Sequence, residues 1–288
     1  MLATFVIFLR EGIEASMIVA ILLAALDRMG QRRHFKDIFV GVAAALVLVL
    51  TGGVAAYLTI KTYAGSRAQT IFETTTYLIA AVVLTYMTMW MRVHAATLSS
   101  ELRARAAAAL DRRTRWGLGL LAFQAVGREG LETMVFTLAI VFASSVHGVM
   151  VGGAAGLVAS LGIAFAIYHL GKRVNIAMFF RTVGILLLLF AAGILVDAVE
   201  NLQQLGWLPV LTQPMWHTAN LLNEDSTLGD IFHTFFGYAD SPTIGQAIVY
   251  ALYLAGALGT FFGLRGRPHP AASAKGALGS SAAVSAVP

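Results

Sequence analysis

The sequence has 288 residues, of which 58% are hydrophobic and 12% are charged, and its mean hydropathy is +0.76. Soluble domains carry about 25% charged residues, so this composition argues against a soluble enzyme or binding domain and indicates a membrane protein. The chain has no cysteine, which excludes disulfide bonds and thiolate metal ligands.

Seven apolar segments are long enough to cross a bilayer as helices, which takes roughly 20 residues each. In chain order they cover about 3–26, 38–60, 70–91, 117–143, 149–170, 179–200 and 244–264. The first segment lacks the basic start of a cleaved signal peptide and is interrupted by charges, so we expect it to be retained as a helix. The predicted fold is an all-α polytopic membrane protein with seven transmembrane helices.

Lys and Arg are distributed unevenly over the connections between these segments. Four regions (27–37, 92–116, 171–181 and the C-terminal tail) hold 16 of them, whereas the alternate connections hold two, Lys61 and Arg67. Basic connections stay on the cytoplasmic side, which predicts an N-terminus outside and a C-terminus inside. The net charge of +5 is explained in the same way, without a nucleic-acid partner.

Residues 1–266 are expected to form a single transmembrane domain with a long outer connection at 201–243. Trp207 and Trp216 in that connection are typical of a segment that lies on the outer membrane surface or folds back over the bundle. The end of the chain, 267–288, is rich in Ala, Ser and Gly, and we expect it to be a disordered cytoplasmic tail.

An internal repeat relates the first and fourth segments. FVIFLREGIEASMIVAI at 5–21 aligns with FQAVGREGLETMVFTLA at 123–139, an offset of 118. Each copy begins a set of three helices, at about 1–91 and 117–200, and because three is odd the second set must enter the membrane from the opposite side. Inverted repeats of this kind are common in transporters, whose substrate site lies near the midplane and whose repeats rock against each other.

The shared core of the repeat, R-E-G-[IL]-E, places an Arg and two Glu within each helix. These residues are Arg10, Glu11 and Glu14 in the first copy and Arg128, Glu129 and Glu132 in the second. At the helical rise, the first pair of glutamates lies ~12–17 Å from the outer helix end and the second ~18–23 Å from the inner end. Both pairs therefore fall near the middle of the hydrocarbon core, which is ~30 Å thick.

The six charges must face the protein interior, because a charge at the bilayer centre costs ~2.5–3.5 kcal/mol. Residues three and four apart share a helix face, so the two glutamates of each copy are neighbours. Four glutamates against two arginines leave two negative charges in surplus. Surplus carboxylate oxygen indicates a hard cation such as Fe³⁺, Mg²⁺ or Mn²⁺. Protons, or a charge network that only holds the helices together, remain alternatives.

Three further acids lie near the outer ends of the predicted helices: Glu73, Asp197 and Glu200. Asp197 and Glu200 are three residues apart and share a helix face. An acidic outer face would concentrate cations at an entrance, so these three residues are candidates for an outer ion path. Ordinary solvated acids are the alternative interpretation.

Two R-E-G-x-E motifs in helices 1 and 4 of a seven-helix protein resemble the oxidase-dependent iron permeases, which include bacterial EfeU-type ferrous-iron uptake permeases and fungal permeases paired with a multicopper ferroxidase. The resemblance covers the seven helices and not the tail after Pro268. It implies iron uptake across a bacterial cytoplasmic membrane. Iron oxidised outside by an extracytoplasmic iron-oxidising or iron-delivering partner would pass through as Fe³⁺.

The resemblance further implies that Glu11, Glu14, Glu129 and Glu132 handle the metal, with Arg10 and Arg128 supporting them. Iron is then the transported substrate, and no tightly bound cofactor is expected. The sequence also lacks the G-x-x-x-x-G-K-[ST] pattern of an ATPase, which agrees with a protein that is not an enzyme. A permease for another divalent cation or protons, a non-transporting intramembrane subunit, and a homo-oligomer all remain open.

Overall fold

The structure, a computed structural model, describes residues 1–94, 100–102, 104, 107–108, 117–143, 146–170, 176–218 and 226–263. Its main helices are α1 (Leu2–Arg28), α2 (Phe35–Lys61), α3 (Arg67–His94), α4 (Gly117–Ala143), α5 (Val146–Leu170), α6 (Ile176–Gln204), α7 (Thr227–Phe236) and α8 (Ile244–Gly263). In these ranges the only β-structure is one bridge between Pro214 and Thr243. The all-α prediction is thus confirmed for the described residues, whereas the predicted tail at 267–288 and most of the 92–116 connection lie outside them.

Five of the helices (α2, α3, α5, α6 and α8) are long and apolar enough to cross a membrane. Only 17% of the apolar window in α2 is buried inside the bundle, so most of that helix presents apolar side chains outwards, as a helix facing lipid does. The helices α1 and α4 have a similar length of 27 residues each. They fall outside this group because the charged motif residues interrupt their apolar runs. The protein is a multi-pass membrane protein.

The helices of the two repeats pack in a pattern that is unchanged when the repeats are exchanged. The largest interfaces are those of α1 with α5, α2 with α4, and α3 with α6. If each helix of the first repeat is replaced by its counterpart in the second (α1 by α4, α2 by α5, α3 by α6) and the reverse, the α1–α5 interface becomes the α2–α4 interface. The α3–α6 interface is unchanged. Each repeat therefore contacts the other more extensively than its own helices contact one another.

Glycines of the two motifs make equivalent contacts in the first two interfaces. A Cβ atom at Gly12 of α1 would overlap the side chain of Ser160 in α5, 2.8 Å from its Cβ. A Cβ atom at Gly130 of α4 would lie 2.8 Å from Cγ2 of Val49 in α2. Glycine thus allows each motif helix to approach its neighbour closely, and we name these two interfaces the glycine seams.

Contacts along the first seam show that α1 and α5 run parallel. Gly152 of α5 meets the backbone of Met1, Gly156 meets the backbone of Phe5, and Ser160 meets Gly12. In the second seam Gly41 meets Gly119 before Val49 meets Gly130, so α2 and α4 are parallel as well.

The two motif helices, α1 and α4, are antiparallel. One core cluster joins Ile7 near the start of α1 to Phe136 near the end of α4. A second cluster joins Leu22 near the end of α1 to Leu118 at the start of α4. The two copies of the motif lie between these clusters, where the helices pass each other.

The described parts of the predicted outer connection, 201–218 and 226–243, fold back onto the bundle, which is one of the two arrangements that the composition indicates. It contains the short helix α7, which begins with the Ser226 hydroxyl accepting a hydrogen bond from the Gly229 amide and which packs on α6. Gly237, with φ of 61°, ends α7 in the left-handed region that favours glycine and lies against Gly193 of α6. Trp207 is 56% exposed.

Candidate cation site

Arg10 forms ion pairs with both glutamates of its own motif. Its Nη1 lies 2.7 Å from Glu11 Oε1, and its Nη2 lies 3.0 Å from Glu14 Oε1. All three side chains are at most 4% exposed. Nη1 is also 2.9 Å from the sulfur of Met87 on α3. The guanidinium therefore holds the two carboxylates on the side of α1 that faces α4.

Arg128 repeats this pairing in the second motif with looser geometry. Its Nε lies 3.3 Å from both Glu129 Oε1 and Glu132 Oε1. The Arg128 side chain is 51% exposed, and its guanidinium carbon lies 5.3 Å from the centre of the Trp90 ring. The second motif is thus ordered by an arginine that reaches the edge of the bundle.

Carboxylates from the two motifs meet where α1 and α4 pass. Glu11, Glu14 and Glu129 each offer an oxygen, and these three oxygens lie within 4.8 Å of one another. Glu132 lies outside this group and its side chain is 16% exposed. Arg10 nevertheless lies within electrostatic range of all four glutamates. The predicted set of four is thus brought into one region, with three members close together and Glu132 beside them.

Several carboxylate oxygens of the four motif glutamates have no hydrogen-bond partner in the described part of the chain. They are Oε2 of Glu11, Glu129 and Glu132, and all three are buried. Leaving a buried acceptor unpaired costs about 1–3 kcal/mol, and more when the group is charged. Because both motifs contribute such an atom, the arrangement is incomplete as a network of protein groups alone.

The geometry suits a small hard cation. An ion that binds oxygen at 2.0–2.1 Å places opposite ligands about 4.2 Å apart, so three oxygens within 4.8 Å need to move inward by less than ~1 Å. Four carboxylates against two guanidinium groups leave a surplus of negative charge, and the ligand atoms are all oxygen, which favours hard ions over copper(I). Sequence and structure thus indicate the same kind of ligand set.

A cavity of about 180 Å³ leads away from the cluster on one side. Glu14 and Glu129 line it at the cluster, and its other polar lining residues include Gln124, Arg128 and Glu101. The sequence gives no reason to select Glu101 or Gln124, because Glu101 belongs to a connection dominated by Arg and Gln124 is a neutral residue before the motif. Their role as lining residues depends on how α1, α4 and the 92–116 connection meet.

The three acids proposed for an outer ion path lie apart from the cluster but close to one another. Tyr77 is within electrostatic range of all three. Each has a polar neighbour: Glu73 Oε1 accepts from Gln69 at 2.6 Å, Asp197 Oδ1 lies 3.5 Å from His233 Nε2 on α7, and Glu200 Oε2 lies 3.4 Å from the Gln246 amide. The sequence did not indicate the pairing of His233 with Asp197, because α7 meets α6 only in the folded chain.

An apolar helix bundle with paired charges and converging carboxylates at its centre has the features of a membrane transport protein. The chain belongs to the Iron permease FTR1 family, whose model matches residues 1–266. This confirms the resemblance to the iron permeases that the two motifs indicate.

Curated relatives carry a corresponding name. The chain is similar to "Ferrous iron permease EfeU" of Yersinia pestis, at 32% identity over 91% of this chain and 93% of the relative. It is similar to the protein of the same name from Yersinia pseudotuberculosis at 33% identity, with the same coverage, and to that from Escherichia coli O6:K15:H31 at 31%, over 91% and 95%. No solved structure matches the chain significantly.

Proposed function

We propose that this protein is an iron uptake permease of a bacterial cytoplasmic membrane, and that the cluster formed by Glu11, Glu14, Glu129 and Glu132 binds iron in transit. The observation that carries the proposal is the meeting of buried carboxylates from two antiparallel helices, with three oxygens within 4.8 Å. The names of the relatives, ferrous iron permeases, support iron as the substrate.

The proposed topology has seven transmembrane helices, α1–α6 and α8, with the N-terminus outside and the C-terminus inside. The antiparallel packing of α1 and α4 supports an inverted repeat, and the excess of Lys and Arg in alternate connections supports the orientation. In this arrangement Arg10 and the four glutamates of α1 and α4 face the bundle interior, and Arg128 pairs with Glu129 and Glu132 from the edge of the bundle.

Iron would reach the cluster as Fe³⁺, after an extracytoplasmic partner has oxidised or delivered it. Ferric iron is a hard ion, and an all-oxygen ligand set suits it. Glu73, Asp197 and Glu200 would attract the ion at the outer face, and the cavity lined by Gln124 and Glu101 would lead it inward. The protein would perform no catalytic step, and iron would be its substrate rather than a cofactor.

Arg10 and Arg128 would offset the negative charge of the cluster when no iron is bound. Arg10 pairs with two carboxylates that would otherwise repel each other at close range. An arriving cation would add its positive charge to this compensation. Charge, rather than hydrogen-bonding capacity alone, is then the property that transport requires.

The proposal is tested by radioactive iron uptake into liposomes containing the purified protein, with the redox state of iron controlled. We expect Glu14→Ala and Glu132→Ala to reduce uptake strongly, Glu→Asp variants to retain part of it, and Glu→Gln variants to lose it. Asp27→Asn is the matched control, because Asp27 is an acid near the end of α1 that pairs with exposed Arg32 outside the cluster.

Full iron uptake by a folded Glu14→Ala variant would contradict the proposed site. Equal competition by Mn²⁺, Zn²⁺ or Pb²⁺ would indicate a broader divalent-cation permease. The absence of any ion flux from correctly folded protein would instead indicate a non-transporting membrane subunit.

A further inference from the structure

A second cavity, of about 130 Å³, lies between α3, α6 and α8 and extends to Arg10. Arg92 and Arg181 also line it, so three guanidinium groups face one space. None of the described residues that line it is acidic. The lining of this cavity is therefore positively charged, whereas the carboxylate cluster that pairs with Arg10 is negatively charged. Such a lining favours an anion over a cation.

Thr88 provides an independent indication that a ligand is missing from this cavity. Its side chain lines the cavity, the residue is 4% exposed, and its hydroxyl has no hydrogen-bond partner among the described residues. Four other threonines of α3 (Thr74, Thr75, Thr76 and Thr85) donate to the carbonyl four residues earlier in the helix. A buried hydroxyl that forgoes this bond costs free energy unless something else receives it.

Phe261 of α8 and Gly184 of α6 form part of the cavity wall. The guanidinium of Arg92 lies 4.3 Å from the centre of the Phe261 ring at the end of α8. Gly184 of α6 forms another part of the wall, and a Cβ atom there would lie 3.0 Å from Cγ2 of Thr88 and 3.6 Å from the Phe261 ring. The absence of a side chain at Gly184 thus leaves room beside the Thr88 methyl group and the Phe261 ring.

We propose that this cavity binds a phosphate group. Arginine forks match phosphate oxygens with paired hydrogen bonds, and the Thr88 hydroxyl supplies one further donor. The cavity lies at the ends of α3 and α8 that bear Arg92 and Phe261, and basic pockets between helices at the cytoplasmic surface of a membrane recognise phosphate headgroups. The phosphate comes from an anionic lipid or from free inorganic phosphate.

Because Arg10 belongs to both sites, the bound group acts on the same guanidinium that holds Glu11 and Glu14.

The test uses the purified full-length protein in nanodiscs, without iron, so that its outcome does not depend on the proposed transport function. In one arm, inorganic phosphate is titrated into phosphatidylcholine nanodiscs and binding is measured by phosphorus NMR and calorimetry. In the other arm, phosphatidylglycerol retained by the protein is measured by native mass spectrometry. Thermal unfolding of each variant shows that it is folded.

We expect Arg92→Gln, Arg181→Gln and Thr88→Val each to weaken binding by about tenfold, the usual effect of losing a hydrogen bond to a charged group. Gly184→Ala should also weaken binding, because its methyl group occupies part of the cavity without changing any charge. Arg33→Gln is the matched control, since exposed Arg33 lies in the basic connection after α1 and outside the cavity.

Binding in the first arm identifies free phosphate as a ligand, and binding in the second arm alone identifies the lipid headgroup. Either result supports the proposal if the cavity variants weaken it and Arg33→Gln does not. The proposal is overturned if neither ligand binds. It is also overturned if Arg33→Gln weakens binding as much as Arg181→Gln does, or if Thr88→Val and Gly184→Ala leave binding unchanged.

Discussion

Arg10 and Arg128 occupy the same position in the two copies of the motif, yet the Arg10 side chain is 2% exposed and that of Arg128 is 51% exposed. The difference follows from their neighbours. Arg10 lies against Met87 inside the bundle, whereas Arg128 lines a cavity and has its guanidinium over the Trp90 ring at 5.3 Å from the ring centre. The site is therefore symmetric in sequence and asymmetric in its access to solvent.

This asymmetry predicts different costs for removing the two arginines. Arg10→Gln leaves two buried carboxylates without their cation, which should lower the free energy of unfolding by on the order of 3–5 kcal/mol. Arg128→Gln should cost less than ~1 kcal/mol, because Arg128 is half exposed and its contacts are longer. Thermal unfolding of the purified variants in detergent measures the difference. Adding Glu11→Gln and Glu14→Gln to Arg10→Gln should restore much of the stability, and equal losses for the two arginine variants would contradict this account.

The glycine seams predict that a single methyl group is harmful at the motif glycines. Gly12→Ala should destabilise the protein by about 1–3 kcal/mol through overpacking against Ser160. The double variant Gly12→Ala with Ser160→Gly should recover most of the loss. Gly162→Ala on α5 is the control, because nothing lies within 4 Å of a Cβ atom there. If the two alanine variants unfold at the same temperature, the seam does not limit stability.

The geometry of the carboxylates predicts unequal contributions to iron binding. Glu14→Gln and Glu129→Gln should each weaken iron binding by at least about tenfold. Loss of a residue that only supports a metal ligand already lowers metal affinity by about 10–100-fold, and loss of the ligand itself should lower it at least as much. Glu132→Gln should have a smaller effect, since Glu132 lies outside the group of oxygens within 4.8 Å. Calorimetry on the purified protein measures these affinities, with Asp27→Asn as the unaffected reference. A larger loss for Glu132→Gln than for Glu14→Gln would show that iron binds elsewhere in the cluster.

The cavity at Gln124 predicts a pattern of chemical accessibility. Because the chain contains no cysteine, a single introduced cysteine can be labelled without background. Gln124→Cys should react with a membrane-impermeant thiol reagent added from the cytoplasmic side, and iron should slow the reaction. Val126→Cys should not react, because Val126 is 4% exposed. Labelling of Gln124→Cys only from the outer side would contradict the proposed orientation.

The sequence predicted the helical segments and the residues of the cluster because each leaves a local signal. A run of about 20 apolar residues indicates a spanning helix without reference to its neighbours, and a repeated R-E-G-x-E motif in such runs is too costly to face lipid. The glycines of the motif, Gly12 and Gly130, both lie against a neighbouring helix, as small residues do at close helix contacts. These inferences required no knowledge of tertiary contacts.

The features that the sequence could not supply all depend on contacts between distant segments. Nothing in the motif distinguishes the environment of Arg10 from that of Arg128, because each is the first residue of its copy. The lining of the two cavities by Glu101 and Arg181, and the contact of His233 with Asp197, arise from helices that meet only after folding. These residues belong to no sequence motif, and only the packing of the helices places them in a cavity wall or an ion pair.

The glycine seams have a consequence for movement at the site. Each seam joins a helix of one repeat to a helix of the other, so rocking the repeats as intact bodies would break both seams. The pairs that can move with both seams intact are α1 with α5, which carries Glu11 and Glu14, and α2 with α4, which carries Glu129 and Glu132. A cation bound by both sets of carboxylates would then be a reversible cross-link between the two pairs of helices, and its release would uncouple them.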